Sequence, residues 1–527
     1  MSESREKIEN FLMGAAFAFF VLITCYRLTY ASLWFDEAVE YWYSKIMFGS
    51  LPFKCEGAEN TVNMYQRIIS TYQPPLYNII MFFWLKISDS EWWFRFFGVV
   101  MGFIGMVGIY KTVKKISDNS LLSSGAVFFS SCIFQLEYYW QECAEYCLML
   151  GSLCWTIYFW VCLIQNTNRR NIILFAIFSI IPIYSQYGAA FPIFAMCLLA
   201  YIFVLSKRNK KNIIEISVSY LGALICAALP LYLFFLKKQM LNQQEVYGTY
   251  IEPHSLWGNI DIIDFLKSML TVFHWNLLPY YGDQAVRILL VIILLISLTI
   301  LIWGRTLTKL LVVANAITCI FYYIAVKLAV YSYGDFGNRY NLFFIPLWIV
   351  FIFAIGYEIY CILQKIELLK RFNTHTIFAG VTISLIVCYN VLSWDTMLRN
   401  NWSKQDIRGT VNEWYQYAVS EKNTFVYYGA GPGFSYYVRL NEQYDDKTEN
   451  SVVYMDWYVD KSVEEYVSYI DGVYGEHWPQ EIYIVGALMM DDFNTLIRAF
   501  TENAYVSEDI YNSSGGRLIK LVYSQSN

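Results

Sequence analysis

The chain has 527 residues, of which 57% are hydrophobic, 19% aromatic and only 15% charged. Soluble domains carry about 25% charged residues, so this composition excludes a soluble globular protein and indicates an integral membrane protein. The formal net charge of −5 conceals an asymmetry, because residues 396–527 contain 10 Lys and Arg against 19 Asp and Glu. Neither this acidic tail nor the remainder has the basic patch that nucleic-acid binding requires, so a nucleic-acid partner is excluded.

Eleven apolar segments are long enough to be predicted as membrane-spanning helices. The first is too long for the apolar part of a signal peptide and precedes no small-residue cleavage site, so we expect it to remain in the protein. With a cytoplasmic N-terminus, five basic clusters at 111–115, 169–170, 207–211, 305–309 and 365–371 all fall on the cytoplasmic side, as the positive-inside rule requires. In chain order the predicted spans are 11–30, 93–112, 120–137, 146–165, 171–187, 190–206, 213–236, 285–303, 308–330, 340–363 and 376–395.

A further apolar segment, 76–87, is too short to cross a bilayer. We predict an interfacial helix lying along the outer surface, with Pro74 and Pro75 at its first turn. After residue 395 the long apolar runs stop, which predicts a membrane domain over 1–395 and a small extracytoplasmic α/β domain over 396–527. Amphipathic stretches around 461–470 and 491–502 alternate there with predicted strands Thr424–Tyr428, Ser451–Tyr454, Glu481–Val485 and Arg517–Tyr523.

Polar residues collect at the predicted outer ends of several spans. Ionisable groups there are costly, and they are functional candidates by default. We therefore expect a cavity at the outer face that binds an anionic headgroup together with a polar acceptor. The residues are Asp36 and Glu37 after the first span, Glu142 and Glu145 in the loop 139–146, Gln186 and Tyr187 after the fifth span, and Arg339 at the start of the tenth.

Transfer of a sugar to an acceptor hydroxyl would use such a set of groups. A carboxylate takes the hydroxyl proton as general base, and a departing polyprenyl phosphate needs a fixed cation, for which the guanidinium fork is suited. Asp36 and Glu142 could also share a divalent cation such as Mg²⁺ or Mn²⁺. The predicted catalytic residues are Asp36, Glu37 and Glu142, and the predicted substrate-binding residues are Arg339, Arg95, Tyr77, Tyr146, Gln186, Tyr187 and Tyr340.

Several of these residues also have a structural interpretation. Asp36 could cap a helix that begins near Glu40, and Glu145 could be an ordinary acid at a helix start. Arg339 could extend to the interface without binding a ligand, and Arg95 could pair with Glu91.

The ordered motifs resemble those of a known group of enzymes. Trp34-Phe35-Asp36-Glu37, then Gln73-Pro74-Pro75-Leu76-Tyr77, then Glu91 with Arg95, are similar to bacterial membrane glycosyltransferases related to protein O-mannosyltransferases. These enzymes have the GT-C fold and include the aminoarabinose transferases that modify lipid A. The resemblance covers about residues 10–350 and continues weakly over Trp402–Arg408.

The resemblance implies inverting transfer from a polyprenyl-phosphate sugar to a glycan, lipid or protein acceptor on the extracytoplasmic side. The family's first-loop acid falls on Asp36, as base or metal ligand, and its late Arg-Tyr falls on Arg339 and Tyr340. Two positions depart from the family pattern, because Ala144 replaces an Arg and Gln186 replaces a His.

Two interpretations from other classes stay open. Carboxylates in a membrane protein also serve proton coupling in secondary transporters, although no internal repeat is visible here. A catalytically silent scaffold that binds polyprenyl lipid would carry the same fold. In each case we expect a multi-pass protein of a bacterial cell membrane.

Overall fold

A computed structural model gives the structure of this protein. Four residues discussed above lie outside the residues that it describes. They are Trp402 and Ser403 of the segment Trp402–Arg408, called the late motif below, and Lys370 and Arg371 of the last basic cluster. The described residues are 2–53, 63–71, 73–246, 260–279, 282–328, 330–331, 339–365, 374–399, 404–417, 423–440, 451–455, 461–475, 477–489 and 492–524.

Contacts divide the chain into two compact units. The first comprises Met1–Tyr26, Thr71–Tyr77 and Arg95–Asn400, and the second comprises Arg27–Ser70, Asn78–Phe94 and Asn401–Asn527. Helices Leu76–Trp84 and Glu91–Ser117 have residues in both units.

The first unit consists of long apolar helices. Within the described ranges, eight helices are long and apolar enough to cross a membrane, so this is a multi-pass membrane protein. The α-helices of this unit, including those too short to cross a membrane, are Ser2–Cys25, Glu91–Ser117, Ser120–Ser131, Phe134–Gln141, Tyr146–Gln165, Arg169–Ser185, Ala190–Ser206, Lys210–Ala223, Lys237–Val246, Ile262–Leu277, Asp283–Trp303, Thr306–Lys327, Phe344–Leu363 and Thr374–Arg399.

Two predicted spans end earlier than expected. The first helix stops at Cys25 and turns follow over 26–30, where Arg27 adopts a left-handed φ of 56° that cannot continue a helix. The predicted span 120–137 divides at Cys132 into two helices. At that end Ser130 and Ser131 donate back to the Ala126 and Val127 carbonyls, at 2.6 and 2.8 Å, which is a local bond that competes with helix continuation.

The predicted span 213–236 belongs to a longer helical run that begins at Lys210. Two π-helical stretches, Leu224–Ala228 and Leu231–Leu236, lie on either side of Pro230. Proline has no N–H to donate, so the regular i to i−4 pattern is interrupted at this point.

Glycines bring the helix Glu91–Ser117 into close contact with its neighbours. A Cβ on Gly98 would lie 2.3 Å from the Trp140 carbonyl oxygen, and one on Gly151 would lie 2.6 Å from the Met101 carbonyl oxygen. Small residues allow helix backbones to approach closely in a membrane, where burial of apolar surface gives little driving force. This contact fixes the helices on both sides of the loop that contains Glu142.

The second unit contains a three-layer α/β/α domain built on a five-stranded sheet. Strands β1 (Thr424–Val426), β2 (Val452–Tyr454), β3 (Glu481–Ala487), β4 (Tyr505–Ser513) and β5 (Gly516–Tyr523) lie in the order β2-β1-β3-β5-β4. The pairs β1–β2 and β1–β3 are parallel, and β3–β5 and β4–β5 are antiparallel. The helices of this unit are Phe35–Lys45, Met64–Ile69, Ile407–Trp414, Gly431–Arg439, Val463–Tyr474 and Asp492–Thr501.

Alternate residues of β3 lie in separate hydrophobic clusters, as the two-residue period of a strand requires. Ile482 and Ile484 belong to the cluster that includes residues of helices Val463–Tyr474 and Asp492–Thr501. Tyr483 and Val485 belong to the cluster that includes residues of helices Ile407–Trp414 and Gly431–Arg439. Both faces of the central strands are therefore buried, which accounts for their nearly continuous apolar sequence.

One carboxylate is buried within this domain. Asp492, at the start of a helix, accepts hydrogen bonds of 2.5 Å from the hydroxyls of Tyr427 and Tyr466. Burial, and then the hydrogen bond to Asp492, hold the pKa of both phenols well above the ordinary tyrosine range.

The predicted strands and amphipathic helices of the tail are confirmed, and β4 is an additional strand that the sequence analysis did not predict. The glycine-rich residues 429–433 form the turn into helix Gly431–Arg439. The short helix predicted at 76–87 exists as Leu76–Trp84, and its interfacial position stays a prediction.

Candidate functional site

Asp36 and Glu37 lie on the helix Phe35–Lys45 in the second unit. Asp36 is half-buried in the first turn, whereas Glu37 is 2% exposed and accepts the Trp34 N–H at 3.4 Å, as in a capping box. The helix begins at Phe35, so the alternative that Asp36 caps a helix starting near Glu40 is wrong. The two adjacent acids therefore have different surroundings, and Asp36 is the more accessible one.

The C-terminal domain packs along this helix. Trp42 donates its indole N–H to the Pro432 carbonyl at 3.0 Å, and the rings of Tyr41 and Tyr436 meet edge to face at 4.7 Å. The Arg439 guanidinium lies 5.4 Å from the centre of the Trp42 ring. The helix that carries Asp36 thus rests on helix Gly431–Arg439.

A second acid on the same helix, Glu40, is buried and hydrogen-bonded to Asn78. Asn78 donates to Glu40 Oε2 at 2.9 Å and to Ser44 Oγ at 3.2 Å. Glu40 and Asn78 are 5% and 2% exposed. Buried carboxylates need such hydrogen bonds, so Glu40 has a structural role here.

Glu142 and Glu145 lie in the first unit, at the break between helices Phe134–Gln141 and Tyr146–Gln165. Glu142 has extended backbone (φ −87°, ψ 136°), so residues 142–145 do not continue the helix Phe134–Gln141. Both side chains are buried, at 5% and 2% exposed. Gln141 fixes this loop by donating to the carbonyls of Thr24 and Tyr26, at 3.0 Å each.

Arg339 lies in the same part of the first unit. It starts a 3₁₀ turn over Arg339–Asn341, and its guanidinium lies 5.7 Å from the centre of the Tyr340 ring. Arg339, Tyr340 and Glu145 all act electrostatically on the hydroxyl of Tyr146. The structure therefore brings together two pairs of adjacent residues, Glu145 with Tyr146 and Arg339 with Tyr340, that are far apart in the sequence.

Gln186 and Tyr187 belong to two hydrogen-bonded chains of this unit. Gln186 accepts the Gly188 N–H at 2.6 Å and donates to the Tyr331 hydroxyl at 2.9 Å. Tyr187 donates to Gln239 Oε1 at 2.7 Å, and Gln239 donates to the Gln73 carbonyl, also at 2.7 Å. The hydrogen bonds through Gln239 thus join the motif around Pro74-Pro75 to residues 185–187.

Two predicted binding residues are buried. Tyr77 is fully buried and packs against Phe97 at 6.0 Å between ring centres, and Arg95 is 5% exposed. Glu91 has partners in the second unit, because it accepts hydrogen bonds from Arg408 at 3.2 Å and from Tyr437 at 3.0 Å.

No three His, Cys, Asp or Glu side chains are grouped closely enough to hold a metal ion, as far as the described ranges extend. Asp36 belongs to the second unit and Glu142 to the first. The divalent cation that these two residues were predicted to share stays a prediction.

Comparison with known proteins adds to this geometry. The family model for dolichyl-phosphate-mannose-protein mannosyltransferases matches residues 72–234. The crystal structure of apo ArnT from Cupriavidus metallidurans aligns with a TM-score of 0.54 at 12% identity, over 99% of this chain and 98% of that one. The chain has the fold of ArnT. ArnT from the same organism bound to undecaprenyl phosphate aligns with a TM-score of 0.51 at 12% identity, over 97% of each chain. No curated protein matches the sequence.

The likeness to ArnT confirms the predicted fold class, a polytopic helical membrane protein of GT-C type with a small C-terminal sheet domain. The family match also confirms the resemblance read from the motifs, since residues 72–234 include Gln73, Glu142 and Gln186.

Sequence reasoning missed several residues of the hydrogen-bonded network. Gln239 and Tyr331 lie in no recognised motif. The only signal in the sequence that could have found them is a polar side chain next to an apolar run. Gln405 and Arg408 were noted as part of the late motif, with no role assigned to them.

Proposed function

We propose that this chain is a membrane glycosyltransferase that moves a hexosyl or pentosyl group from a polyprenyl-phosphate donor to an extracytoplasmic acceptor with inversion. The family match carries the proposal, because residues 72–234 contain the motif around Pro74-Pro75 together with Glu142 and Gln186. ArnT, a protein of the same fold, is known in complex with undecaprenyl phosphate, which supports the donor class.

In the proposed reaction the acceptor oxygen forms a bond to the anomeric carbon while the bond from that carbon to the phosphate oxygen breaks. The acceptor proton passes to a carboxylate, and the polyprenyl phosphate departs as an anion. We assign the base role to Asp36, because it is more accessible than Glu37, whose carboxylate accepts the Trp34 N–H. Arg339, which is half-buried and lies 5.7 Å from the centre of the Tyr340 ring, is the proposed phosphate ligand.

The first experiment incubates the purified protein in nanodiscs with polyprenyl-phosphate sugars and an extract of envelope glycans, and measures released polyprenyl phosphate by mass spectrometry. Asp36→Asn should abolish release while undecaprenyl phosphate still binds. Asp264→Asn, which alters an exposed acid paired with Lys267, is the matched control and should retain wild-type release. Normal turnover by Asp36→Asn would contradict the base role.

A second experiment addresses the phosphate ligand. Arg339→Ala should weaken binding of undecaprenyl phosphate more than Asp36→Asn does, whereas Arg498→Ala, at an exposed ion pair, should leave the affinity unchanged. Equal affinity for the wild type and Arg339→Ala would remove this assignment. Binding without release, with every envelope acceptor supplied, would favour the silent scaffold, and uptake of solute by proteoliposomes would favour a transporter.

A further inference from the structure

Side chains from the far end of the chain hold the segment that leads into the Asp36 helix. The Arg408 guanidinium donates to the Thr29 carbonyl at 3.0 and 3.1 Å and to the Tyr30 carbonyl at 2.7 Å. The Tyr437 hydroxyl accepts the Leu33 N–H at 2.7 Å. All of these residues belong to the second unit.

Gln405 supplies the cap that the local sequence lacks. Helix N-termini have N–H groups without partners in the helix, and Ser, Thr, Asp or Asn usually satisfies them from the N-cap position. Trp34 occupies that position here and has no oxygen to offer. Gln405 Oε1 instead accepts the Phe35 N–H at 2.9 Å, and the Gln405 carbonyl accepts the Ser32 hydroxyl.

Residues 404–408, the late segment, are themselves fixed to the sheet domain. The Asp406 carboxylate caps helix Ile407–Trp414 through the Gly409 N–H at 3.0 Å and accepts the Tyr511 hydroxyl at 2.5 Å. The Asp406 N–H donates to the Ser514 carbonyl at 3.0 Å in the β4–β5 turn. A Cβ on Gly516 would lie 2.4 Å from the Asp406 carbonyl oxygen, so this turn lies directly against the late segment.

We propose that Gln405 and Arg408 are positioning residues, through which the C-terminal domain sets the place of the Asp36 carboxylate. The proposal rests on the proposed function only for its catalytic consequence. Its structural part, that these two side chains order residues 29–36, stands on the contacts alone. Displacing a catalytic group by about 1 Å can lower the rate about a hundredfold, so loss of this contact should lower the turnover rate.

The test uses two substitutions that differ in what they remove. Gln405→Met keeps the length of the side chain and loses the acceptor for Phe35. Arg408→Lys keeps a positive charge beside the buried Glu91 and loses the fork that binds two carbonyls, so Glu91 is not left without a cation. Gln416→Met is the matched control, because Gln416 is exposed in the same part of the domain and its amide donates to Glu413 at 3.1 Å.

Hydrogen exchange over residues 29–40 of the full-length protein provides a readout that does not depend on activity. Gln405→Met and Arg408→Lys should exchange about fivefold faster there, the factor expected for loss of one hydrogen bond, with Gln416→Met unchanged. In the transfer assay both variants should lower kcat about tenfold or more, with unchanged affinity for undecaprenyl phosphate. Wild-type exchange in both variants would overturn the proposal.

The two proposals can fail separately. Faster exchange in a protein whose wild type releases no polyprenyl phosphate would retain the positioning contact and reject the glycosyltransferase proposal. Faster exchange with wild-type kcat would reject the positioning role, since the segment would then be ordered without effect on Asp36.

Discussion

The chain of hydrogen bonds from Tyr187 through Gln239 to the Gln73 carbonyl makes a quantitative prediction. Gln239 is 1% exposed, so water cannot replace the phenol that donates to it at 2.7 Å. Tyr187→Phe should therefore destabilise the first unit by about 1–3 kcal/mol, the cost of removing one partner from a buried polar group. Gln239→Met removes the hydrogen bonds to Tyr187 and to the Gln73 carbonyl and should cost at least as much.

The double variant shows whether Tyr187 and Gln239 stabilise the fold through their shared hydrogen bond or independently of each other. If Tyr187 and Gln239 act through their shared bond, the double variant should be less destabilised than the sum of the single variants, by about 0.5–1.7 kcal/mol. Reversible unfolding in mixed SDS and dodecylmaltoside micelles, followed by tryptophan fluorescence, measures all four proteins. Additivity within about 0.3 kcal/mol would show that this hydrogen bond does not stabilise the fold.

Three further predictions concern packing, charge and pH. Gly98→Ala should cost about 1–3 kcal/mol, because its Cβ would lie 2.3 Å from the Trp140 carbonyl oxygen, and thermal unfolding in detergent measures this loss. Glu358→Ala should cost about 1–3 kcal/mol in the same assay, because the carboxylate accepts both the Arg305 N–H and its guanidinium, at 2.8 and 3.0 Å, while the partly exposed Arg305 side chain can be hydrated after the change. The raised pKa values of the two phenols that donate to Asp492 contribute stability below pH 10 that is lost as the pH rises above it, so near-UV circular dichroism should show the C-terminal domain unfolding together with phenolate formation.

Matched controls exist for each of these changes. Gly14→Ala places a Cβ where no atom lies within 4 Å and should leave the melting temperature unchanged. Glu502→Ala breaks an exposed ion pair and should cost less than about 1 kcal/mol. Tyr417→Phe alters an exposed phenol of the same domain and should not shift the alkaline transition. A transition that begins well below pH 10 would contradict the assignment to the two buried phenols.

Hydropathy and strand alternation predicted most of the architecture. Apolar runs such as 285–303 have only one structure that satisfies their backbone in a membrane, and the strand at 481–487 is buried on both faces. Strand β4 was missed because Tyr505–Ser513 is polar over most of its length and lies at the edge of the sheet. The division of the predicted span 120–137 at Cys132 was missed, because an apolar run does not show where the hydroxyls of Ser130 and Ser131 will bond.

The site was less predictable than the fold. Motifs identified Asp36 and Arg339, because acids and guanidinium groups near a membrane are rare enough to be noticed. They could not separate Asp36 from Glu37, since the difference arises from a hydrogen bond to Trp34 and from packing. The motifs also could not show that the Phe35 N–H donates to Gln405, because the local sequence does not identify a hydrogen-bond partner 370 positions away.

That separation has a consequence for the order in which the protein matures. A ribosome adds about 5–20 residues per second, so roughly 20–75 seconds pass between synthesis of Phe35 and of Gln405. Throughout that interval the helix that carries Asp36 is without its cap and without the helix on which it rests. A chain cut short before residue 405 therefore lacks the acceptor for the Phe35 N–H, and this contact becomes available only with the last quarter of the polypeptide.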